Sequence, residues 1–353
     1  MQKISDEYYT APTNDDLESG LNRSFRKHRF VREKVEDNAS EIGKIEDFHS
    51  LEITFTYQAE IDSGTESAPF HIQHQTTNTT IEKLISLKCS DGAFERHQLG
   101  DLLGMNRGSY ERVLPFVRQL GLVDRLPDTR ETYQLTPWAR QLHRTWLANP
   151  GLLAEAIHLH LATRYRTNPA MRASWAYATA AGLLWDRAPL IFEPSTRERL
   201  ATEIRVAGAA QYGLGLDRVA FSHNSVRGVM NWLGALVPPV IVSPGRGVRI
   251  ARRTTCPVPA VWWATSELAR IGAAARYPGR APIADEEYRL NLARILFLEP
   301  ASAEPMLRVA SAEAPLHMGE PILAYDPSST EVRVVRRLPI GTLPLDGEGV
   351  VPQ

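Results

Sequence analysis

Apolar residues recur at helical spacing at Ile81, Leu84 and Ile85, with Lys88 in step, and predict a first helix. Leu99, Leu102 and Leu103 predict a second, short helix that ends in a tight turn at Gly104-Met105. Asn106 is placed to cap a third helix, because its side-chain oxygen can satisfy an orphan backbone N–H. That helix buries Val113, Phe116, Val117 and Leu120 on one face, and Gly121 ends it as a left-handed residue. Residues 122–125 and 132–135 read as two short strands around a tip at Pro127, Asp128 and Thr129. Thr136-Pro137 then opens a helix with a cap and an N1 proline.

Upstream, Leu51, Ile53, Phe55, Tyr57, Ala59 and Ile61 alternate with polar residues as one half-buried strand. The rest of residues 1–67 is polar and aperiodic, and is expected to be partly disordered. Downstream, residues 137–148, 152–166 and 170–185 predict three helices, the last rich in small residues suited to close packing. Residues 195–214 predict a long helix with a capping box at Ser195 and Glu198. The next stretch repeats an earlier one. At a constant offset of 116, Ser109 pairs with Ser225, Val113 with Val229, Phe116 with Trp232, Val117 with Leu233 and Leu120 with Leu236. Helices at 261–275, 285–298 and 303–310 follow, then a hairpin of residues 321–325 and 331–336 about an Asp-Pro-Ser-Ser turn. The tail from Pro339 is expected to be loose.

LGDLLGMNRGSYERVLPFVRQLGLVDR and the exit YQLTPWARQL resemble the winged-helix domains of bacterial transcription regulators. The resemblance implies a mainly α fold with short β-hairpin wings, built as tandem winged helix-turn-helix domains linked by helices. The expected boundaries are an acidic N-terminal region at 1–67, a first winged helix at 68–148 and a helical linker at 149–194. A second winged helix at 195–256, a helical region with a hairpin at 257–338 and a tail at 339–353 complete the division. The region 257–338 leaves a third, degenerate winged helix open. More narrowly, LTPWARQL followed by ANPGLLAEAIHLHLATRYRTNP and a tryptophan-bearing helix resembles uncharacterised accessory proteins of bacterial DNA-modification and phage-defence islands. That resemblance implies an accessory or scaffold subunit of an antiviral complex.

Charge sharpens the picture. The whole chain has a net charge of −1, yet residues 93–253 carry 21 arginines, no lysine and 12 acids, a balance of +9. Residues 1–67 stand at −7 and residues 254–353 at −3. Guanidinium groups suit bidentate contacts with phosphates and base edges, so the basic stretch coincides with the elements expected to meet DNA.

Opposite the buried stripe, the first third helix offers Arg107, Glu111, Leu114, Pro115 and Arg118. The second offers His223, Asn224, Arg227, Met230 and Asn231, with Arg246 and Arg249 on its wing and Arg252 and Arg253 beyond. Arg and Asn are the side chains that pair with guanine and adenine edges, so the second copy is the expected DNA reader. The first, with an apolar centre, is expected to read shape or dock protein.

Other chemistry has little support in the sequence. His71 and His74, three apart, lack the further ligands a metal needs, and His158 and His160 do not face each other on a helix. Cys89 and Cys256 read as buried apolar groups in a reducing cytoplasm. Gly213-Leu214-Gly215 follows helical sequence rather than a strand, and so fails as a cofactor loop. No cofactor and no metal is expected. The expected partners are double-stranded DNA and other protein subunits of a complex, with no membrane; a homo-oligomer stays open. A docking subunit that does not touch DNA, and an enzyme with an unfamiliar site, are the alternatives.

Overall fold

The computed structural model describes residues 70–88, 92–127, 129–242, 248–270, 280–317, 320–328 and 331–343. The strand expected at residues 51–61, Cys89 and the tip residue Asp128 lie outside them. All the described elements lie in the unit of residues 62–353.

The first six elements run helix, strand, helix, helix, strand, strand. They are α1 (Asn78–Lys88), β1 (Ala93–Glu95), α2 (Gln98–Leu103), α3 (Arg107–Gln119), β2 (Val123–Arg125) and β3 (Thr132–Leu135). Asn106 caps α3 by accepting the Ser109 N–H at 3.0 Å. Gly104 (φ 64°) and Gly121 (φ 72°) take the left-handed turns that a Cβ would disfavour. The helix continues past Pro115, whose ring interrupts one internal hydrogen bond without ending it. The sheet order is β1-β3-β2, so the first strand pairs with the last.

Two more modules repeat this order. The second holds α6 (Arg172–Arg187), β4 (Leu190–Phe192), α7 (Pro194–Tyr212), α8 (His223–Gly234), β5 (Ile241–Val242) and β6 (Val248–Ile250), with sheet order β4-β6-β5. The third holds α9 (Val258–Arg270), β7 (Arg280–Pro282), α10 (Glu286–Ile295), α11 (Ala303–Ala312), β10 (Leu323–Asp326) and β11 (Glu331–Val334). Its strands again place the last between the other two, β10-β11-β7. A two-stranded ribbon, β8 (Leu316–His317) with β9 (Glu320–Pro321), is inserted before β10. The fold is therefore mainly helical with small antiparallel three-stranded sheets.

The offset of 116 carries Arg107 at the start of α3 onto His223 at the start of α8, and Thr132 of β3 onto Val248 of β6. Val113 and Val229, Phe116 and Trp232, and Val117 and Leu233 are all buried, as the repeat requires. Two elements of the second repeat precede residue 195. The second sheet recruits β4, and α6 is the first helix of that order. Three-residue strands leave too short an alternation to be read from sequence, which is why β1, β4 and β7 escaped. The Ser195 capping box is displaced: the cap residue of α7 is Glu193, and Pro194 takes the first turn.

Between the first and second modules lie α4 (Pro137–Ala148) and α5 (Gly151–Thr163). Rather than a linker, α5 is the centre of the molecule. It packs against α1, α4, α6, α8, α9 and α10, so each module touches it. Leu152, Leu153, Ile157, Leu159 and Leu161 are all at most 1% exposed. A helix apolar all round is a core helix, and each such side chain contributes about 1.5–3 kcal/mol.

Two ionisable groups on α5, Glu155 and His158, are buried as well. Glu155, 0% exposed, forms a two-point ion pair with Arg253, its oxygens 2.5 and 2.8 Å from Nη1 and Nη2. Arg253 also donates to the carbonyls of Leu296 (2.8 Å) and Val237 (3.0 Å), and the Val237 N–H returns to Glu155 at 3.0 Å. The second is His158, 1% exposed, with Nδ1 at 2.8 Å from the Tyr177 hydroxyl and Nε2 at 2.7 Å from the Ile295 carbonyl. A carbonyl only accepts, so Nε2 carries the proton, Nδ1 accepts from Tyr177, and the ring is neutral. Burial pushes the His158 pKa down to about 4.

The tail departs from expectation through residue 343. The indoles of Trp138 and Trp263 donate to the carbonyls of Ile340 and Thr342 at 3.0 and 2.7 Å, and Thr145 donates to that of Gly341. Buried donors on α4 and α9 need acceptors, and this piece of chain supplies them.

Removing one member of the buried pair leaves the other charged in a dry site. Arg253→Met or Glu155→Leu is expected to lower unfolding free energy by about 3–5 kcal/mol, and the double variant by less than either single change. Denaturant titration of the three variants checks this; equal losses in all three would contradict it. His158 makes a separate prediction. Its pKa is lower folded than unfolded, so its contribution is whole above about pH 6.5 and is lost as pH falls toward 4. The expected loss is about 3 kcal/mol, and His158→Gln should flatten the pH dependence of the melting temperature.

Candidate nucleic-acid interface

The strap of residues 70–77, which leads into α1, joins the first two modules at their third helices. Phe70 anchors it in the second module, edge-on to Trp175 (6.0 Å) and Tyr212 (5.4 Å). Ile72 is buried against Gly228 of α8, where an added Cβ would lie 2.8 Å from the Ile72 carbonyl oxygen. The Ser225 hydroxyl sits 2.8 Å from Nδ1 of His71, and the Asn231 amide donates to the His74 carbonyl at 2.8 Å. At the strap's other end Gln75 donates to the Ser109 hydroxyl of α3 at 3.3 Å.

This seam gathers positive charge. Burial holds His71 below the usual histidine pKa, with His74 and Arg112 adding to the effect. Burial also lowers His74, followed by Arg227, Arg112 and His223. Arg112 and Arg227 are exposed, on α3 and α8 respectively, as is His223. Beside the seam lies a cleft of about 630 Å³ lined by His71 and His223 together with Glu198, Thr202, Arg205 and Asp217.

The expected DNA-contacting residues divide sharply. His223 and Arg227 are exposed, Asn224 is half-buried, and Arg249 is exposed on β6. Arg246 lies outside the described residues. Asn231 is half-buried and already committed to His74. Arg253 was placed on the surface by its position after the wing; it is 4% exposed and belongs to the core ion pair. Arg252 is likewise a joining residue, 4.6 Å over the Trp185 ring, donating to the Trp185 carbonyl at 2.9 Å and reaching Glu299 at 3.5 Å. Arg107 is exposed but bonded to Glu111 at 2.9 Å, and Arg118 is half-buried 5.9 Å from the Tyr133 ring centre. Leu114, expected on the open face of α3, is 4% exposed. The open face is turned toward Arg112 and Pro115 instead, so the apolar centre expected there is reduced to a proline.

Part of the +9 balance is therefore neutralised within the protein. Arg96, Arg107, Arg187, Arg199, Arg252 and Arg253 are held against carboxylates, and the seam keeps its charge. Arg112, His71 and His74 are the residues that sequence reasoning missed. The alternation Phe70-x-Ile72 marks a buried strap, but nothing in it says which helix covers it.

Among the described residues no group of three or more His, Cys, Asp or Glu could hold a metal ion. Cys256 is buried, and its thiol is pushed up to about 12 by that burial. No helix among the described residues is long and apolar enough to cross a membrane. Compared with known proteins, the chain matches no family model, no curated protein and no solved structure.

Gly228→Ala tests the strap. The added methyl meets backbone rather than a flexible side chain, so the strap must move, at an expected cost of about 1–3 kcal/mol. A melting temperature equal to that of the parent would show that the approach is looser than described.

Proposed function

We propose that the protein binds double-stranded DNA without catalysing a reaction on it, its three repeated modules being winged helices. The observation that carries this reading is the cationic seam, where Arg112 and Arg227 stand exposed on neighbouring third helices. The third helix is the element that enters the major groove in helix-turn-helix proteins, and a wing contacts the adjoining backbone. The second module fits that role through His223, Arg227 and Arg249, with the first contributing Arg112. The third module fits it less well. Arg308 on α11 is bound to Glu304 at 2.9 Å and to the Tyr325 hydroxyl at 2.6 Å, and the chain beyond residue 253 is acidic. That module, tied to the others through α5, Arg252 and Arg253, is suited to scaffolding. The natural setting is an accessory or scaffold subunit of a bacterial multi-protein complex, in phage defence or DNA modification, as the sequence resemblance implies.

One observation favours a second reading, protein docking. Ile191, Arg249 and Val242 lie in one row across β4, β6 and β5, and Ile191 is 68% exposed and Val242 46%. Exposed apolar side chains around an arginine suit a protein surface as well as a groove.

Arg112→Ala and Arg227→Ala are each expected to weaken duplex binding by about 1–3 kcal/mol. Arg107→Ala should do less, because Glu111 already neutralises it. Affinity should fall steeply with salt, with a log–log slope of about −0.9 per phosphate contacted. Fluorescence anisotropy across a salt series decides this. A flat salt response, or Arg107→Ala weakening binding more than Arg112→Ala and Arg227→Ala, would move the assignment to protein docking.

A further inference from the structure

We infer that the seam between α3 and α8 is a proton-linked phosphate site: it takes one phosphate of a nucleic-acid backbone and gains protons on its histidines as it does so. This rests on the reading of the protein as a DNA binder, and names what one part of the interface holds and what controls it.

The charge balance of the seam is one-sided. The groups that act on His71 are His74 and Arg112, and those that act on His74 are Arg227, Arg112 and His223; all are basic. Glu198 and Asp217 line the neighbouring cleft with Arg205, but neither acid is among the groups that shift the two rings. Burial first, and then these basic neighbours, hold both rings below the usual histidine value, and an anion would oppose the neighbours' effect.

The hydrogen bonds fit a ring that gains a proton in place. The Ser225 hydroxyl is 2.8 Å from Nδ1 of His71, and its oxygen also takes the Ser222 N–H at 3.4 Å as part of the α8 cap. A neutral His71 accepts the serine proton; a protonated one donates to the serine oxygen. The contact survives either way, so protonation requires no rearrangement. His74 is held by its backbone through Asn231, and its Nδ1 is buried without a hydrogen-bond partner. A phosphate beside the cluster opposes the charge of both arginines and of a protonated ring without having to reach that buried nitrogen.

The sign of the linkage follows. An anion favours the charged form of His71 and His74 and so raises their pKa values above the lowered values of the free protein. Between those limits binding takes up protons, and affinity rises as pH falls. His223, exposed at the edge of the same cluster, adds a third ring within reach of the anion.

The test uses the full chain and a short labelled duplex, titrated from about pH 8 to about pH 6. The expected result is tighter binding at lower pH, up to about tenfold per pH unit for each proton taken up. The double variant His71→Gln/His74→Gln should lose most of that slope, while Arg227→Ala should weaken binding at every pH. A parallel titration of the parent protein with inorganic phosphate, followed by histidine ring NMR, needs no variant and should raise the pKa of both rings. Duplex affinity that is flat with pH, or a slope that survives in the double variant, overturns the inference and leaves DNA binding standing. A duplex that fails to bind while phosphate raises both rings overturns the DNA reading and supports the phosphate site. Phosphate that leaves both rings unmoved overturns the site itself.

Discussion

The ion pair between Glu155 and Arg253 is the constraint on which the arrangement of the modules depends. Two full charges are taken out of water, and what offsets that cost is geometry: Nη1 and Nη2 each meet one carboxylate oxygen, and Nε and a second N–H of Nη1 find backbone carbonyls. The partners come from different places. Glu155 lies on α5, Val237 precedes β5, Leu296 follows α10, and Arg253 follows β6. The backbone of Arg253 joins in, its N–H donating to Phe297 at 3.0 Å and its carbonyl accepting from Glu299 at 2.8 Å. Apolar packing against α5 would hold three modules loosely around one helix; a buried pair with so many fixed partners selects one arrangement.

The same logic explains why the strap matters. It carries no regular structure, yet it is anchored by an aromatic cluster in one module and leads into the first helix of another. Gly228 lets its backbone approach α8 closely, and Ser225 and Asn231 satisfy its polar groups. The consequence is electrostatic. Side chains from two modules and the strap between them share one cationic seam, whereas Arg107, Arg187, Arg199, Arg252 and Arg253 are held by carboxylates.

Three copies of one topology around a shared helix differ in what their third helices expose. The first offers Arg112 beside a paired Arg107, the second offers His223 and Arg227, and the third offers an arginine already tied to Glu304 and Tyr325. Repetition of the fold supplies three similar modules; divergence of their open faces leaves exposed cations on the first two and an arginine held by Glu304 and Tyr325 on the third.

Much of this was legible in the chain. Helical periodicity, the caps at Asn106 and Thr136, the left-handed glycine at 121 and the repeat at an offset of 116 are local properties, set by spacing and backbone preference, and they located helices and two of the antiparallel strand pairs. Periodicity also marked the buried stripe of α3 and α8, although Leu114, expected on the open face, is buried too. What no local pattern carries is pairing at a distance. Arg253 reads as a surface arginine until Glu155, 98 residues away, is found beside it in the core. His71 reads as an ordinary polar residue until Ser225, 154 residues away, and Arg112 are brought against it. Three-residue strands have too little alternation to be seen alone, and exist because a later strand offers them hydrogen bonds. The elements follow from short-range sterics and burial; which charges are neutralised and which remain to meet a ligand follows from how the chain returns upon itself.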